Sequence, residues 1–347
     1  MVIFGAGASA DSILHLATEQ TAVGRRPPLA RNLFDRAFER YLTDHPECGT
    51  LVDDLRTLGA TTDLESTLER IQRDEAPRSA LRRRQLLSLR YYLRDLLWQI
   101  GDEWQANAPG NTNYHKLFAR LELWREAEKE NIALVSFNYD RIVDKAVRDV
   151  FRMPLDSVDQ YTDGSGVALF KPHGSVNWIR VVGDDRSLNE HMDPRAIEDA
   201  LLAKASMDAL EPEEEFHVIS RRNAFWTPSN RVGIPALTIP ALSKAAFECP
   251  RQHVASLTAA IPLVTKLLIV GWRATERHFL SLWKGTDARI HRRVQIVNRT
   301  QDSASVTLTA LQEAGLGEAQ YFPYYNGLSW YLGEPDQLDR FLTESYP

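Results

Sequence analysis

The sequence predicts an α/β fold: a Rossmann-like parallel sheet with helices on both faces, plus an inserted helical subdomain. Three observations predict it. Short apolar runs recur along the chain, and amphipathic helical patterns follow them. The first run enters a glycine-rich turn. About a hundred residues of helical spacing then intervene before the next run.

The first run is Val2-Ile3-Phe4, entering Gly5-Ala6-Gly7-Ala8-Ser9 as a buried strand enters a tight turn. It is short for a strand, so further residues are expected upstream. From about residue 29 to 130 the apolar spacing is helical. Leu29, Leu33, Phe34, Ala37, Phe38 and Tyr41 predict one helix. Leu64, Leu68 and Ile71 predict a second, with Asp63 as its N-cap. Leu86, Leu89, Leu93, Leu96 and Ile100 predict a third, and Leu117, Leu121 and Trp124 a fourth beyond a breaker cluster at 106–113. Strands are then expected at Ile132–Phe137, Val167–Phe170, Leu267–Val270 and Val294–Val297. Helices are expected through Ile142–Val150 and Glu276–Trp283, and a terminal one over 335–347. Residues 184–235, with the acidic run Glu213-Glu214-Glu215, read as a polar, irregular lobe. The expected division is a Rossmann-like domain of residues 1–28 and 131–347, with 29–130 as the inserted helical subdomain.

The chain's 347 residues exceed what one hydrophobic core usually serves. Its net charge of −6 gives no global pull toward nucleic acid, which is not expected as a direct partner. Arg82-Arg83-Arg84 reads as a solvated helix face. Two distant cysteines, Cys48 and Cys249, exclude a four-cysteine zinc site within the chain and argue against a disulfide framework. The nine histidines show no metal-ligand spacing, so no metal is expected. No apolar run is long enough to span a membrane, and Met1–Gly5 does not read as a signal peptide. The expectation is a soluble protein in the reducing cytoplasm, away from membranes.

Four segments carry chemistry, each at the C-terminal end of a predicted strand, where open parallel sheets bind ligands. Gly5-Ala6-Gly7-Ala8-Ser9-Ala10-Asp11 suits close approach to a pyrophosphate, although a tight strand-to-helix turn explains the same glycines. In Ser136-Phe137-Asn138-Tyr139-Asp140, Asn138 sits at a strand tip, and Asp140 is either a ligand contact or a helix cap. In Lys171-Pro172-His173-Gly174-Ser175-Val176-Asn177-Trp178, His173 is either a general base or a satisfied structural histidine. Gly271-Trp272-Arg273-Ala274-Thr275-Glu276 and Val297-Asn298-Arg299 are strand-to-helix connections suited to line the adenosine half of a nucleotide.

In combination and order these segments resemble the sirtuin superfamily, and within it the bacterial NADase branch more than the protein deacylases. The resemblance covers most of the chain, and the Asn138-Tyr139-Asp140 and His173-Gly174 segments are its most specific part. It implies Asn138 and His173 as the catalytic pair, with His173 activating a ribose hydroxyl or water. It implies NAD contacts from Gly5, Ala6, Gly7, Ala8, Ser9, Asp11, Phe137, Asp140, Gly271, Trp272 and Asn298. NAD is then substrate, with no tightly bound cofactor. Two features depart from the deacylases. The zinc ribbon cannot form, and Gly24-Arg25-Arg26-Pro27-Pro28-Leu29 stands where they carry Gly-Ile-Pro-Asp-Phe-Arg. Both favour water over a peptide as acceptor.

The resemblance therefore implies an NAD glycohydrolase that releases nicotinamide and ADP-ribose, serving as an NAD-depleting effector in antiphage defence. Its implied partners are further copies of itself in a homo-oligomer and an ATPase or sensor protein. The helical insertion is the candidate for oligomer contacts or gating, or else a lid completing the core. Two alternatives stay open: an NAD-dependent deacylase or ADP-ribosyltransferase, and a non-catalytic NAD-sensing or assembly module.

Overall fold

Alternation of apolar side chains builds the centre of the molecule. The computed structural model describes residues 1–13, 26–59, 79–164, 166–183, 188–239, 247–284, 293–316, 319–334 and 336–343. In chain order the elements begin with β1 (Val2–Phe4), α1 (Ala6–Ala10), α2 (Glu39–Thr43), α3 (Gly49–Gly59), α4 (Ala80–Ala106) and α5 (Asn113–Glu128). Next come β2 (Ile132–Ser136), α6 (Ile142–Phe151), β3 (Val167–Phe170), β4 (Gly174–Val182), α7 (Pro194–Ser206), β5 (Pro212–Val218) and β6 (Gly233–Leu237). The chain continues with α8 (Arg251–Ala260), β7 (Lys266–Val270), α9 (Arg277–Ser281), β8 (Arg293–Val297), α10 (Gln301–Glu313), β9 (Gln320–Tyr324), α11 (Gly327–Gly333) and α12 (Gln337–Thr343).

Among the described residues, six strands form one parallel sheet in the order β3-β2-β1-β7-β8-β9. Successive side chains on a strand face opposite sides. Val2, Phe4, Leu134, Leu268 and Val270 pack with Tyr114, Phe118, Val143, Val147 and Tyr331 of α5, α6 and α11. Ile3, Val135, Leu267, Ile269 and Ile296 pack with Leu257, Phe279 and Leu311 of α8, α9 and α10. Burying each such side chain is worth about 1.5–3 kcal/mol, so both faces are stabilised. The Rossmann-like α/β class expected from the sequence is the class observed. The strand order reverses between β1 and β7, which opens a crevice above their C-terminal ends.

A second, three-stranded antiparallel sheet has the order β5-β4-β6. The sequence reading missed it. Residues 184–235, expected to be irregular, instead supply α7, β5 and β6. The acidic run looked like a loop because its counter-charges are distant: Arg231 bonds Glu213 and Glu215, and Arg180 Nε donates to the Glu213 carbonyl at 2.6 Å. The sixth strand, β9, also escaped notice, since Pro323 and its partly exposed side chains suit only a sheet edge.

Between β1 and β2 the described residues form helices and turns and no strand. The single helix expected from Leu29 to Tyr41 is instead two 3-10 turns, Ala30–Asn32 and Arg36–Phe38, leading into α2. Asp63, Leu64, Leu68 and Ile71 lie outside the described residues. α4 carries two faces. Leu89, Leu93 and Leu96 pack with Leu51 and Leu55 of α3 and with Ile179 and Leu237 of the antiparallel sheet. Leu87 and Tyr91 pack with Leu201 of α7. The Arg82-Arg83-Arg84 run is not a free solvated face: Arg83 donates to the carbonyls of Ala205 and Ser206, and Arg84 pairs with Glu47. None of the described helices is long and apolar enough to cross a membrane.

His45 joins these layers, bonding Glu198 of α7 at 2.9 Å and Asp95 of α4 at 3.3 Å. Burial opposes its charge, but hydrogen bonds to Asp95 and Glu198 outweigh burial and raise its pKa to about 9. A folded pKa above the unfolded value of about 6.5 stabilises the protein fully below pH 6.5. That contribution, roughly 3 kcal/mol, disappears as pH rises through 9. The melting temperature is therefore expected to fall between pH 6.5 and 9, and this fall is expected to shrink in His45→Gln. An identical pH profile in the variant would remove His45 as the cause.

Candidate active site

A cavity of about 340 Å³ occupies the crevice at the β1–β7 reversal. It is lined by Gly5, Ala6, Gly7, Ser9 and Asp11 after β1, and by Phe137, Asn138 and Asp140 after β2. His173 after β3, Gly271 and Trp272 after β7, and Asn298 after β8 complete it. Of the residues that the resemblance implies as catalytic or NAD-contacting, Ala8 is the one absent from the lining. Its side chain is fully buried in the core behind the turn, where it packs.

The glycines are required by one turn pressing on another. Gly5 N–H donates to the Val270 carbonyl, and Gly7 N–H to the Gly271 carbonyl at 3.1 Å. A Cβ on Gly5 would lie 2.5 Å from Gly271 O, and one on Gly271, whose φ is +60°, 2.4 Å from Ala8 N. No side chain fits between these backbones.

Asn138 locks the β2 tip to the same turn. Its Nδ2 donates to Gly5 O at 3.0 Å and Ser9 Oγ at 2.9 Å, and lies 3.3 Å from Tyr114 Oη. The Gly5 carbonyl only accepts, so the amide orientation is fixed by chemistry and Oδ1 is the atom left for a ligand hydroxyl.

Lys171 sets the β3 tip. It is fully buried, and its three ammonium protons meet Asp140 O at 2.7 Å, Asp144 Oδ2 at 2.8 Å and Ser175 Oγ at 2.7 Å. Ser175 passes a hydrogen bond to Asn177 Oδ1 at 2.6 Å, and Tyr161 holds the other oxygen of Asp144 at 2.7 Å. A buried ammonium with every donor satisfied and a carboxylate beside it is a rigid anchor. Lys171, Ser175 and Asn177 are thus committed to structure. Gly174 turns the chain at φ +79° against the Ala236 carbonyl, where a Cβ would lie 2.0 Å away. Of this segment, His173 alone lines the cavity.

His173 stands 4% exposed among aromatic rings, 4.9 Å from Phe137 and 6.1 Å from Tyr139. Burial, then the neighbouring His278, lower its pKa to about 3, while a hydrogen bond from its ring to the Phe137 backbone opposes them. The ring is neutral at pH 7, and its Nε2 is buried without a hydrogen-bond partner. Fixing one ring nitrogen on the main chain makes the other the lone-pair acceptor.

The remaining polar residues divide their roles. Both oxygens of Asp11 hold Ser329, accepting from its Oγ at 2.6 Å and its N at 3.0 Å, so this carboxylate ties the end of α1 to α11. Asp140 Oδ1 accepts from Ile142 N at 3.0 Å, which is the helix-start role. Burial raises its pKa against the pull of Lys171. Asn298 Nδ2 donates to Ser303 O and Thr307 Oγ1, bracing α10. Trp272 stacks on Phe137 at 5.1 Å and 9°, and its Nε1 donates to Glu276 at 2.5 Å.

No protein-family model matches the chain, and no curated protein matches it.

Sequence reasoning missed several residues of the cavity wall. Pro27, Pro28, Leu29, Ala30, Arg31 and Leu33 cross it from the segment between α1 and α2, and Leu97 reaches it from α4. Tyr114 supports Ser9 at 3.0 Å. Arg273, Glu276 and Arg299, which belong to the two segments read as suited to line an adenosine, line the end formed by β7 and β8. The sequence holds no local signal for the Pro27–Leu33 wall, because its neighbours in space are distant in the chain.

Proposed function

We propose that the protein is an NAD glycohydrolase that cleaves the nicotinamide–ribose bond to give nicotinamide and ADP-ribose. The observation that carries the reading is the meeting of Asn138, His173 and the Gly5–Ser9 turn around one cavity at the sheet's reversal point. The resemblance of the same segments to bacterial sirtuin-like NADases supports it.

The pyrophosphate lies over the glycine turn, and the nicotinamide ribose between the β2 and β3 tips. The Asn138 Oδ1 accepts a hydrogen bond from a ribose hydroxyl or the attacking water. As the C1′–N bond breaks, its electron pair goes to the pyridinium ring, and nicotinamide leaves neutral. Water bonds to C1′ and passes one proton to His173 Nε2, which returns it to solvent. A departing neutral ring needs little push, so orientation and a water-poor aromatic wall contribute most. A histidine with a pKa near 3 is a weak base. The negative charges of the bound pyrophosphate raise its proton affinity toward the useful range. In the cell this activity would deplete NAD in antiphage defence, held off until a partner or self-assembly releases it.

Incubating the purified protein with NAD and separating the products is the direct test. Nicotinamide and ADP-ribose in equal amounts, without any acyl-lysine peptide, are expected. Turnover that depends on such a peptide would replace the hydrolase with a deacylase. NAD that raises the melting temperature but is never cleaved would leave a binding module.

A further inference from the structure

Two arginines at the end of the cavity formed by β7 and β8 have no acidic partner among the described residues. Arg273 follows β7 and Arg299 follows β8, and both are exposed and line the cavity. Several arginines elsewhere in this net-negative chain are matched: Arg56 with Glu39 and Asp53, Arg231 with Glu213 and Glu215, Arg180 with Glu248. A third cation, Arg26, lies within electrostatic reach of Arg299. The carboxylates of the wall are engaged elsewhere, Asp11 by Ser329, Asp140 by the Ile142 N–H and Glu276 by Trp272.

The position of this charge along the sheet matters. His173 follows β3 and Arg299 follows β8, four strand spacings apart, or ~19 Å at ~4.8 Å each. Arg299 stands two spacings, ~10 Å, beyond the β1 turn. The cavity thus has a reactive end at His173 and a cationic end past the place where a pyrophosphate would sit. In dinucleotide sites of this sheet type, an acidic side chain at the adenosine ribose selects a free 2′-hydroxyl, whereas an arginine accommodates a 2′-phosphate. Here the tip of β8 presents Asn298, whose amide nitrogen is spent on α10, followed by Arg299.

We infer that the cavity favours a pyridine dinucleotide carrying a 2′-phosphate on its adenosine ribose, binding NADP more tightly than NAD, with Arg299 and Arg273 as its anchors. The inference rests on the glycohydrolase reading for the direction in which the dinucleotide lies. A phosphomonoester is close to doubly charged at neutral pH, and the arginine fork matches its oxygens.

Two measurements test it separately from the chemistry. In the first, adenosine 2′,5′-bisphosphate and 5′-AMP are titrated into the protein while melting temperature is followed. The bisphosphate is expected to bind at least tenfold more tightly. Arg299→Ala is expected to remove that advantage and Arg299→Lys to restore part of it. In the second, kcat/KM is compared for NADP and NAD, and Arg299→Ala is expected to lower the NADP:NAD ratio at least tenfold. Hydrolysis of NAD with a ratio that Arg299→Ala leaves unmoved overturns the inference and spares the glycohydrolase. A bisphosphate preference lost in Arg299→Ala, with neither dinucleotide cleaved, supports the phosphate subsite and sinks the glycohydrolase. Equal affinity for the two adenosine phosphates, or none, overturns the inference.

Discussion

His173→Ala is expected to slow nicotinamide release by about 10²–10⁴-fold, the usual worth of a positioned general base, while the protein stays folded. The pH profile adds a second readout. In the free enzyme, whose titration kcat/KM reports, burial holds the histidine neutral down to about pH 3, so protonation of this ring cannot lower kcat/KM between pH 8 and 5. A kcat/KM that falls with an apparent pKa near 6.5 would place the titrating base elsewhere. Stability carries the opposite signature to His45. A folded pKa below the unfolded one gives stability that is present above pH 6.5 and is lost as pH falls from there toward 3. Asn138→Ala is also expected to abolish turnover nearly completely, through a different route. It removes hydrogen bonds to Gly5 O and Ser9 Oγ and frees the turn over which the pyrophosphate lies. The Gly5 carbonyl keeps the Ala8 N–H, so what is lost is the hydrogen bonds themselves, about 0.5–1.5 kcal/mol each, and this variant is expected to melt earlier as well. Near-normal turnover in both variants would remove the assigned pair from the chemistry.

The largest structural effect is expected from Gly271→Ala. A left-handed conformation costs a non-glycine residue roughly 1–2 kcal/mol. The new Cβ would also lie 2.4 Å from Ala8 N and 2.6 Å from the Gly7 carbonyl carbon, both backbone atoms. Relief requires the β1 and β7 turns to move apart, which breaks the Gly7–Gly271 hydrogen bond and opens the floor of the cavity. Several kcal/mol of lost stability, out of the ~5–15 typical of a domain, and loss of stabilisation by dinucleotide are the expected result. Gly110→Ala provides the control. Its φ is +65° with nothing within 4 Å of the added methyl, so only the conformational part applies. Equal destabilisation by the two substitutions would show that close approach is not what the Gly5–Gly271 contact requires.

The motif residues prove to have two kinds of role that spacing alone cannot separate. In the Lys171–Trp178 segment, Lys171, Ser175 and Asn177 build an anchor, and only His173 reaches the cavity. In the first segment, Gly5 and Gly7 serve the contact with Gly271, Asp11 secures α11, and Ala8 packs inward. Asn298 likewise braces α10 while bordering the cavity. Each of these assignments depends on a partner from 2 to 318 positions away in the chain.

The sequence by itself determined five of the six parallel strands and most of the helices packed on them, because those elements declare themselves within a few residues. Val2–Phe4, Leu134–Ser136, Leu267–Val270 and Val294–Val297 are apolar but for Ser136 and Gln295, as befits strands covered on both faces. It also marked the strand tips where polar residues gather. Tertiary structure alone decided the antiparallel sheet, because β5 is acidic and gains its stability from Arg180 and Arg231 across the fold. It alone broke the Leu29–Tyr41 pattern into 3-10 turns that wall the cavity. It alone brought Arg273 and Arg299 to one end of that cavity, since strands adjacent in the sheet need not be adjacent in the chain. Local periodicity records which side of an element is buried; which distant group meets it is fixed only when the layers pack.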